Sequence, residues 1–134
     1  MNLNFIEKNL NPTGKQKGDC VVRAIMYAEK MCWDDVFNLL YDEALKQKDM
    51  PNAKKVYEAV LEQLGWEKRP MPKTDDGKRY TIKKFADTWN GLILISIVKH
   101  LTVIDNGKLI DTWDCSHKSI CRYWVRGLDK KTKS

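Results

Sequence analysis

The sequence has little of what marks disordered, fibrous or membrane proteins. It contains only 7 glycines and 4 prolines among 134 residues, while 43% of its residues are hydrophobic. These proportions exclude collagen-like and low-complexity chains and are typical of a globular protein. The longest apolar stretch, residues 91–98, is far shorter than the ~20 residues that a membrane helix needs, and residues 1–10 lack the apolar centre of a signal peptide. We therefore expect a soluble cytoplasmic protein that does not contact a membrane.

Cysteine is scarce and positive charge is only moderately in excess. The 4 cysteines follow no disulfide-framework spacing, so in a reducing cytosol we expect free thiols, one of which is a candidate nucleophile.

Lys and Arg total 24 against 18 Asp and Glu, a formal net charge of +6. An acidic partner must therefore be considered, but the basic residues are dispersed along the chain. We expect no nucleic-acid partner.

The length of the chain predicts one domain spanning residues 1–134. Asn-Pro, Thr-Gly and Lys-Gly pairs in residues 1–18 predict an N-terminal loop, and residues 127–134 are typical of a solvated basic tail. The region 67–78, with its prolines and an Asp-Asp-Gly sequence, predicts a surface loop. There is no internal repeat.

Hydrophobic spacing predicts helices in the first half of the chain and strands in the second. Helices are predicted from Asp19, which is a good N-cap, at about 34–48, after Pro51, and from Thr81 to about residue 89. Residues 92–98 form a β-branched run that predicts a buried strand, and Asn106-Gly107 between two apolar segments predicts a hairpin. A further strand is predicted at 120–126. The expected fold is α+β, with N-terminal helices packed on a C-terminal antiparallel sheet of three to five strands.

Three residues have the chemistry that thiol catalysis needs. Cys20 lies in the first turn of a predicted helix, where unpaired N–H groups and partial positive charge lower the pKa of a thiol. His100 begins a predicted strand and can serve as the base, while Asp111 on the partner strand can orient the imidazole.

The predicted hairpin supplies a geometric argument for this group. A two-residue turn at Asn106-Gly107 pairs Val103 with Ile110, which makes His100 and Asp111 diagonal neighbours on one face of the sheet. Asp114 would point to the other face, but an error of one residue in the register would exchange the two carboxylates. Asp114 is therefore the alternative orienting residue.

Residues 18–25 (Gly-Asp-Cys-Val-Val-Arg-Ala-Ile) and 100–114 together resemble the small papain-like cysteine peptidase domains of Gram-positive bacteria and their phages. The order Cys, His, Asp is shared, and Asp111-Thr112-Trp113 resembles the papain pattern Asn-Ser-Trp. The resemblance implies a papain-like fold and a bacterial or phage-infected cytoplasm. It also implies a cysteine peptidase, or a related acyl-transfer enzyme, that cleaves an amide or isopeptide bond in a protein or peptide substrate without a cofactor.

Carried over by position, Cys20 is the nucleophile, His100 the general base and acid, Asp111 the orienting residue and Trp113 its apolar cover. Papain-like enzymes place an oxyanion-hole Gln before the nucleophile, and Gln16 is the only Gln upstream of Cys20. It stands closer to the cysteine than the family pattern prefers, so the backbone N–H of Cys20 is an alternative donor.

Two other chemistries compete with this interpretation. Cys115, His117 and Cys121 lie close together and could bind zinc with help from Cys20, Cys32 or His100, although their spacing fits no common zinc motif. Alternatively, the cationic and aromatic residues at 122–126 could bind single-stranded nucleic acid, although their alternation is typical of a half-buried strand. A third possibility is a non-catalytic phage or bacterial protein that binds a host protein on the same fold. The sequence predicts no oligomeric state.

Overall fold

The computed structural model describes residues 3–126, which form an α+β fold. Its helices are α1 (Cys20–Glu29), α2 (Trp33–Gln47), α3 (Lys54–Gln63) and α4 (Ile82–Phe85), the last continued by a 3-10 turn (Ala86–Thr88). Its strands are β1 (Asn4–Glu7), β2 (Glu67–Arg69), β3 (Leu92–Ile97), β4 (His100–Asp105), β5 (Lys108–Asp111) and β6 (Arg122–Val125). Within this range no helix combines the length and the apolar character needed to cross a membrane. The predicted basic tail, 127–134, lies outside the described residues.

The six strands form one mixed sheet in the order β1-β5-β4-β3-β6-β2. All neighbouring pairs are antiparallel except β1 and β5, which are parallel. The α+β class is thus confirmed, but the prediction of a purely antiparallel sheet of three to five strands is wrong. The two extra strands lie at the edges of the sheet.

Both edge strands come from segments that were predicted to be loops. Strand β1 lies within the predicted loop 1–18 and pairs with the outer edge of β5, where the N–H of Asn4 donates to the carbonyl of Gly107 at 2.8 Å. Strand β2 lies within the predicted loop 67–78 and pairs with β6. These short, mostly exposed segments are ordered by the free edge that each one meets, so their own sequences carry little strand signal.

The sheet is buried on both faces. Helices α1, α2 and α3 cover one face and contact inward residues such as Leu101 and Trp124. Helix α4 and the 3-10 turn cover the other face, with Phe85 packed on Tyr123. Strands buried on both faces have continuous apolar sequences, which explains the unbroken run in β3.

The predicted hairpin and its register are confirmed. Asn106 and Gly107 adopt positive φ angles of 53° and 85°, and Val103 pairs with Ile110 as expected. The preceding hairpin joins β3 to β4 and pairs Ile97 with His100, so only residues 98 and 99 form its turn. His100 therefore emerges directly from a tight turn at one end of the sheet.

Candidate active site

Cys20 is the first residue of α1, and its side chain is half-buried at that end of the helix. The N–H groups in the first turn of a helix have no partner within the helix, and they favour negative charge on a nearby sulfur. The sequence places the thiol at this position because the apolar stripe of α1 anchors the helix against β4.

Asp19 occupies the N-cap position of α1, but its side chain does not cap the helix. Its carboxylate instead accepts hydrogen bonds from Asn11 Nδ2 at 2.7 Å, Arg23 Nε at 2.8 Å and Trp33 Nε1 at 2.9 Å. Burial raises the pKa of this carboxyl, but the bonds from Trp33, Arg23 and Asn11 outweigh burial and lower it overall. Asp19 is thus a buried anion that joins α1, α2 and the N-terminal segment beside Cys20.

His100 and Asp111 form the closest polar contact of the site. His100 Nε2 lies 2.6 Å from Asp111 Oδ2, and the side chains are 10% and 3% exposed respectively. The confirmed register explains the contact, because both residues lie on the sheet face that carries Ile104 and Leu109. Asp114 is exposed, and its carboxylate accepts a hydrogen bond from the N–H of Ser116 at 3.0 Å. Of the two candidate carboxylates, the structure brings Asp111 to the imidazole.

The Cys20 thiol interacts with the same imidazole. Burial raises the pKa of this thiol, but hydrogen bonds with the His100 side chain and the Leu101 N–H, together with the charges of His100 and Arg23, lower it below the ordinary value. The site therefore favours the thiolate, which is the nucleophilic form of cysteine.

His100 is correspondingly a strong base. Its burial lowers the pKa, but hydrogen bonds with Asp111, Cys115 and Cys20 and the charge of Asp111 raise it to about 11. Burial raises the pKa of Asp111, yet the hydrogen bond and charge of His100 lower it overall. These shifts favour the charged forms of all three groups: a thiolate at Cys20, an imidazolium at His100 and a carboxylate at Asp111.

Trp113 lies against the imidazole, with ring centroids 5.3 Å apart and planes inclined by 56°. The indole is 41% exposed. The ring that the resemblance implied as an apolar cover is therefore in contact with the imidazole.

Arg23 is a site residue that the sequence did not single out. Its Nε lies 2.8 Å from Asp19, and its Nη1 lies 3.5 Å from Asp111 Oδ1, with the guanidinium side chain only 10% exposed. The arginine thereby links the buried anion near Cys20 to the carboxylate that holds His100. No local pattern could have revealed this, because an arginine in a helix is usually read as solvent-facing.

Cys115 is a second thiol beside the imidazole. It is fully buried, and its Sγ lies 3.8 Å from Asp111 Oδ2. His100, Asp111 and Cys115 form the one group of three potential metal ligands in residues 3–126, with donor atoms within 4.8 Å of one another. The zinc hypothesis grouped Cys115 with His117 and Cys121, but His117 is exposed and is not in this cluster.

An open cleft of about 500 Å³ gives access to the site, and its wall includes Cys20 and His100. Gln16, the oxyanion-hole candidate, is exposed and does not line this cleft. Its loop runs over the surface before Gly18, whose φ of 67° turns the chain into α1. The backbone N–H of Cys20, the alternative donor, begins α1 and has no partner within the helix.

Strand β6 does not present the exposed aromatic rings that the nucleic-acid hypothesis needs. Trp124 is buried beneath the helices on one face, and Tyr123 is buried on the other. Side chains along β6 alternate between the two faces of the sheet as expected, but helices cover both faces at this strand.

No protein-family model matches this chain, and no curated protein or solved structure matches it either.

Proposed function

We propose that this protein is a papain-like cysteine peptidase, or a related thiol acyl-transfer enzyme, that uses Cys20, His100 and Asp111. The observation that carries the proposal is the placement of one imidazole between a thiol and a carboxylate at the wall of an open cleft. Nε2 of His100 contacts Asp111 at 2.6 Å, and the same ring lowers the pKa of Cys20 by hydrogen bonding. A helix-borne Cys followed in the chain by a strand-borne His and an acid is the papain-like order.

The reaction would form and break a thioester. The thiolate of Cys20 attacks the carbonyl carbon of an amide, and the backbone N–H of Cys20 donates to the developing oxyanion. Nδ1, the ring nitrogen of His100 that Asp111 leaves free, gives its proton to the leaving amine as the C–N bond breaks. Water, losing a proton to the same nitrogen, then attacks the carbonyl carbon of the thioester, and the C–S bond breaks to release the carboxylic acid and restore the Cys20 thiolate. The proton returns the imidazole to its charged form, so the cycle closes without a cofactor.

Asp111 would hold the imidazole in one orientation and stabilise its positive charge. Trp113 shields this contact from water, and Arg23 fixes the second oxygen of the carboxylate. These contacts restrict the rotation of the His100 ring. A ring that carries a proton between the sulfur and the leaving amine must keep this orientation.

The test is covalent trapping and turnover with matched cysteine variants. Wild-type protein should form one adduct at Cys20 with an electrophilic peptide such as a vinyl sulfone, and it should hydrolyse members of an internally quenched peptide library. Cys20→Ala should lose both properties, whereas Cys32→Ala, which removes an exposed thiol, should retain both. His100→Ala should lower both rates by at least about a hundredfold. Turnover that survives in Cys20→Ala would overturn the proposal.

A non-catalytic binding protein on the same fold would behave differently. Its biological effect should survive Cys20→Ala, since a binding surface tolerates the loss of one sulfur atom. Comparison of that variant with the wild type therefore separates the two functions.

A further inference from the structure

The cleft at Cys20 adjoins a second depression. This cleft and a larger groove of about 790 Å³ share Val21 and Asn52 in their walls. The two depressions therefore meet near the beginning of α1, and together they are called the trough. Its two ends differ sharply in chemistry.

The end that holds His100 is cationic. Its wall contains three basic side chains and no carboxylate; these are Lys54, Lys99 and Arg122. Arg122 lies 3.9 Å from Glu58, which partly balances its charge. Neither Lys54 nor Lys99 forms an ion pair with any carboxylate in the part of the chain that the structure describes. Two uncompensated ammonium groups therefore face this end of the trough.

The other end is lined mainly by aromatic and apolar side chains, although Lys17, Asp19 and Asp34 also belong to its wall. Trp33, Phe37 and Tyr41 stack in sequence along α2, with centroid distances of 5.1 Å and 6.2 Å. Tyr41 is 47% exposed and Met50, across the groove, is 65% exposed. Large apolar side chains exposed in a groove that adjoins the Cys20 cleft offer a hydrophobic ligand a surface to bury.

We infer that the trough binds a peptide with a bulky apolar side chain on one side of the scissile amide and a carboxylate on the other. The inference rests on the proposed function, because the thiol at Cys20 defines where the scissile bond lies. The apolar side chain packs on the α2 aromatics, and the carboxylate lies near Lys54 and Lys99. The carboxylate belongs to an acidic side chain or to the C-terminus of the substrate.

Internally quenched peptides test both halves of this specificity. A peptide with Phe and Glu flanking the cleaved bond should have a kcat/KM at least about tenfold above its Phe/Gln and Ser/Glu counterparts. Raising the salt concentration should reduce the preference for Glu, because the lysines are exposed and screening acts on them. Peptides ending in a free carboxylate or an amide distinguish a C-terminal carboxylate from a side-chain one.

Variants assign each preference to its end of the trough. Lys54→Gln with Lys99→Gln should abolish the preference for Glu, whereas Lys108→Gln, at an exposed lysine of β5, should not. Tyr41→Ser with Met50→Ser should abolish the preference for Phe, whereas Leu45→Ser, at an exposed leucine of α2 that does not line the groove, should not. Equal kcat/KM values for the peptides, or a preference unchanged in the trough variants, would overturn the inference and leave the proposed function standing.

Peptide binding to Cys20→Ala tests the substrate preference independently of cleavage. Fluorescence anisotropy with the same peptides measures recognition without turnover. If the wild type cleaves no peptide but this variant binds Phe/Glu more tightly than the others, the specificity stands and the peptidase proposal fails. If neither cleavage nor selective binding occurs, both are overturned.

Discussion

His100 and Asp111 are separated by eleven positions in the chain, yet their side chains meet at 2.6 Å. The contact is a direct product of the Asn106-Gly107 turn, which sets the register of β4 against β5. The Asp111 carboxylate is buried, and each of its oxygens contacts a basic side chain: Oδ2 contacts His100 and Oδ1 contacts Arg23. This arrangement raises the pKa of the imidazole to about 11, and the charge of the imidazolium in turn lowers the pKa of Cys20.

Replacing Asp111 by Asn should weaken the nucleophile without removing the side chain that orients the ring. The amide carries no negative charge, so the pKa of His100 should fall and that of Cys20 should rise. We expect the rate of Cys20 alkylation near neutral pH to fall at least about tenfold. Asp114→Asn is the matched control, because that carboxylate is exposed and contacts Ser116 instead. Similar rates in the two variants would contradict the role of Asp111.

Replacing Arg23 by Met should destabilise the fold strongly. The change leaves the buried carboxylate of Asp19 without its cation and removes one of the two cations beside Asp111, and the loss of one partner from a buried ion pair costs about 3–5 kcal/mol. Urea unfolding measures this free energy. Lys78→Met, which removes an exposed ion pair with Asp76, should cost less than about 1 kcal/mol. Equal losses would show that Arg23 is not a structural cation of the site.

The sequence could predict those parts of the site that local rules determine. Asn106-Gly107 determines a hairpin register, and the register determines that His100 and Asp111 share a face. The N-terminal position of Cys20 follows from the apolar stripe of α1. Each of these relations depends on residues that lie near one another in the chain.

The remaining parts depend on contacts between distant segments. Strands β1 and β2 are short and largely exposed, and they exist because β5 and β6 leave free edges. Arg23 acquires its role only when α1 is packed against the end of β5. Cys115 likewise reaches Asp111 through the chain that follows that strand, whereas its sequence neighbours suggested a different cluster.

Removing the Trp113 ring should expose the His100–Asp111 contact to water. The indole lies 5.3 Å from the imidazole ring, where it also stabilises a cation electrostatically. Loss of this attraction and screening of the Asp111 charge by water should outweigh the relief of burial, so we expect Trp113→Ala to lower the pKa of His100 by up to about one pH unit. Titration of the ring protons by NMR measures this, and His117, the second of the 2 histidines, is an internal reference. An unchanged His100 titration would show that the indole does not shield the pair.

The pH dependence of folding should show the paired ionisation of His100 and Cys20. The raised pKa of His100 contributes stability that is fully present below its unfolded value of 6.5 and is lost as pH rises through about 11. Cys20, whose pKa is lowered, opposes this loss up to the ordinary thiol value of 9.0, because the unfolded thiol still holds its proton. Where the pH exceeds both 6.5 and the lowered pKa of Cys20, the two slopes oppose each other, so the free energy of unfolding should change little up to pH 9.0 and then fall towards pH 11.

Comparison with a His100 variant separates the contribution of His100 to the free energy of unfolding from that of other groups that titrate at high pH. The decline above pH 9.0 should be smaller in His100→Gln, by up to about 1.4 kcal/mol per pH unit. Urea unfolding at a series of pH values provides the curves. Parallel curves for the wild type and the variant would show that the raised pKa of His100 does not contribute to stability.

The pH profile of Cys20 alkylation tests the thiolate–imidazolium pair most directly. Mass spectrometry after brief exposure to iodoacetamide gives the rate at each cysteine of the folded protein. We predict that Cys20 reacts at pH values well below its ordinary pKa, and that His100→Ala moves its profile to higher pH. A Cys20 profile centred at the ordinary thiol value of 9.0 and unchanged by His100→Ala would contradict the account.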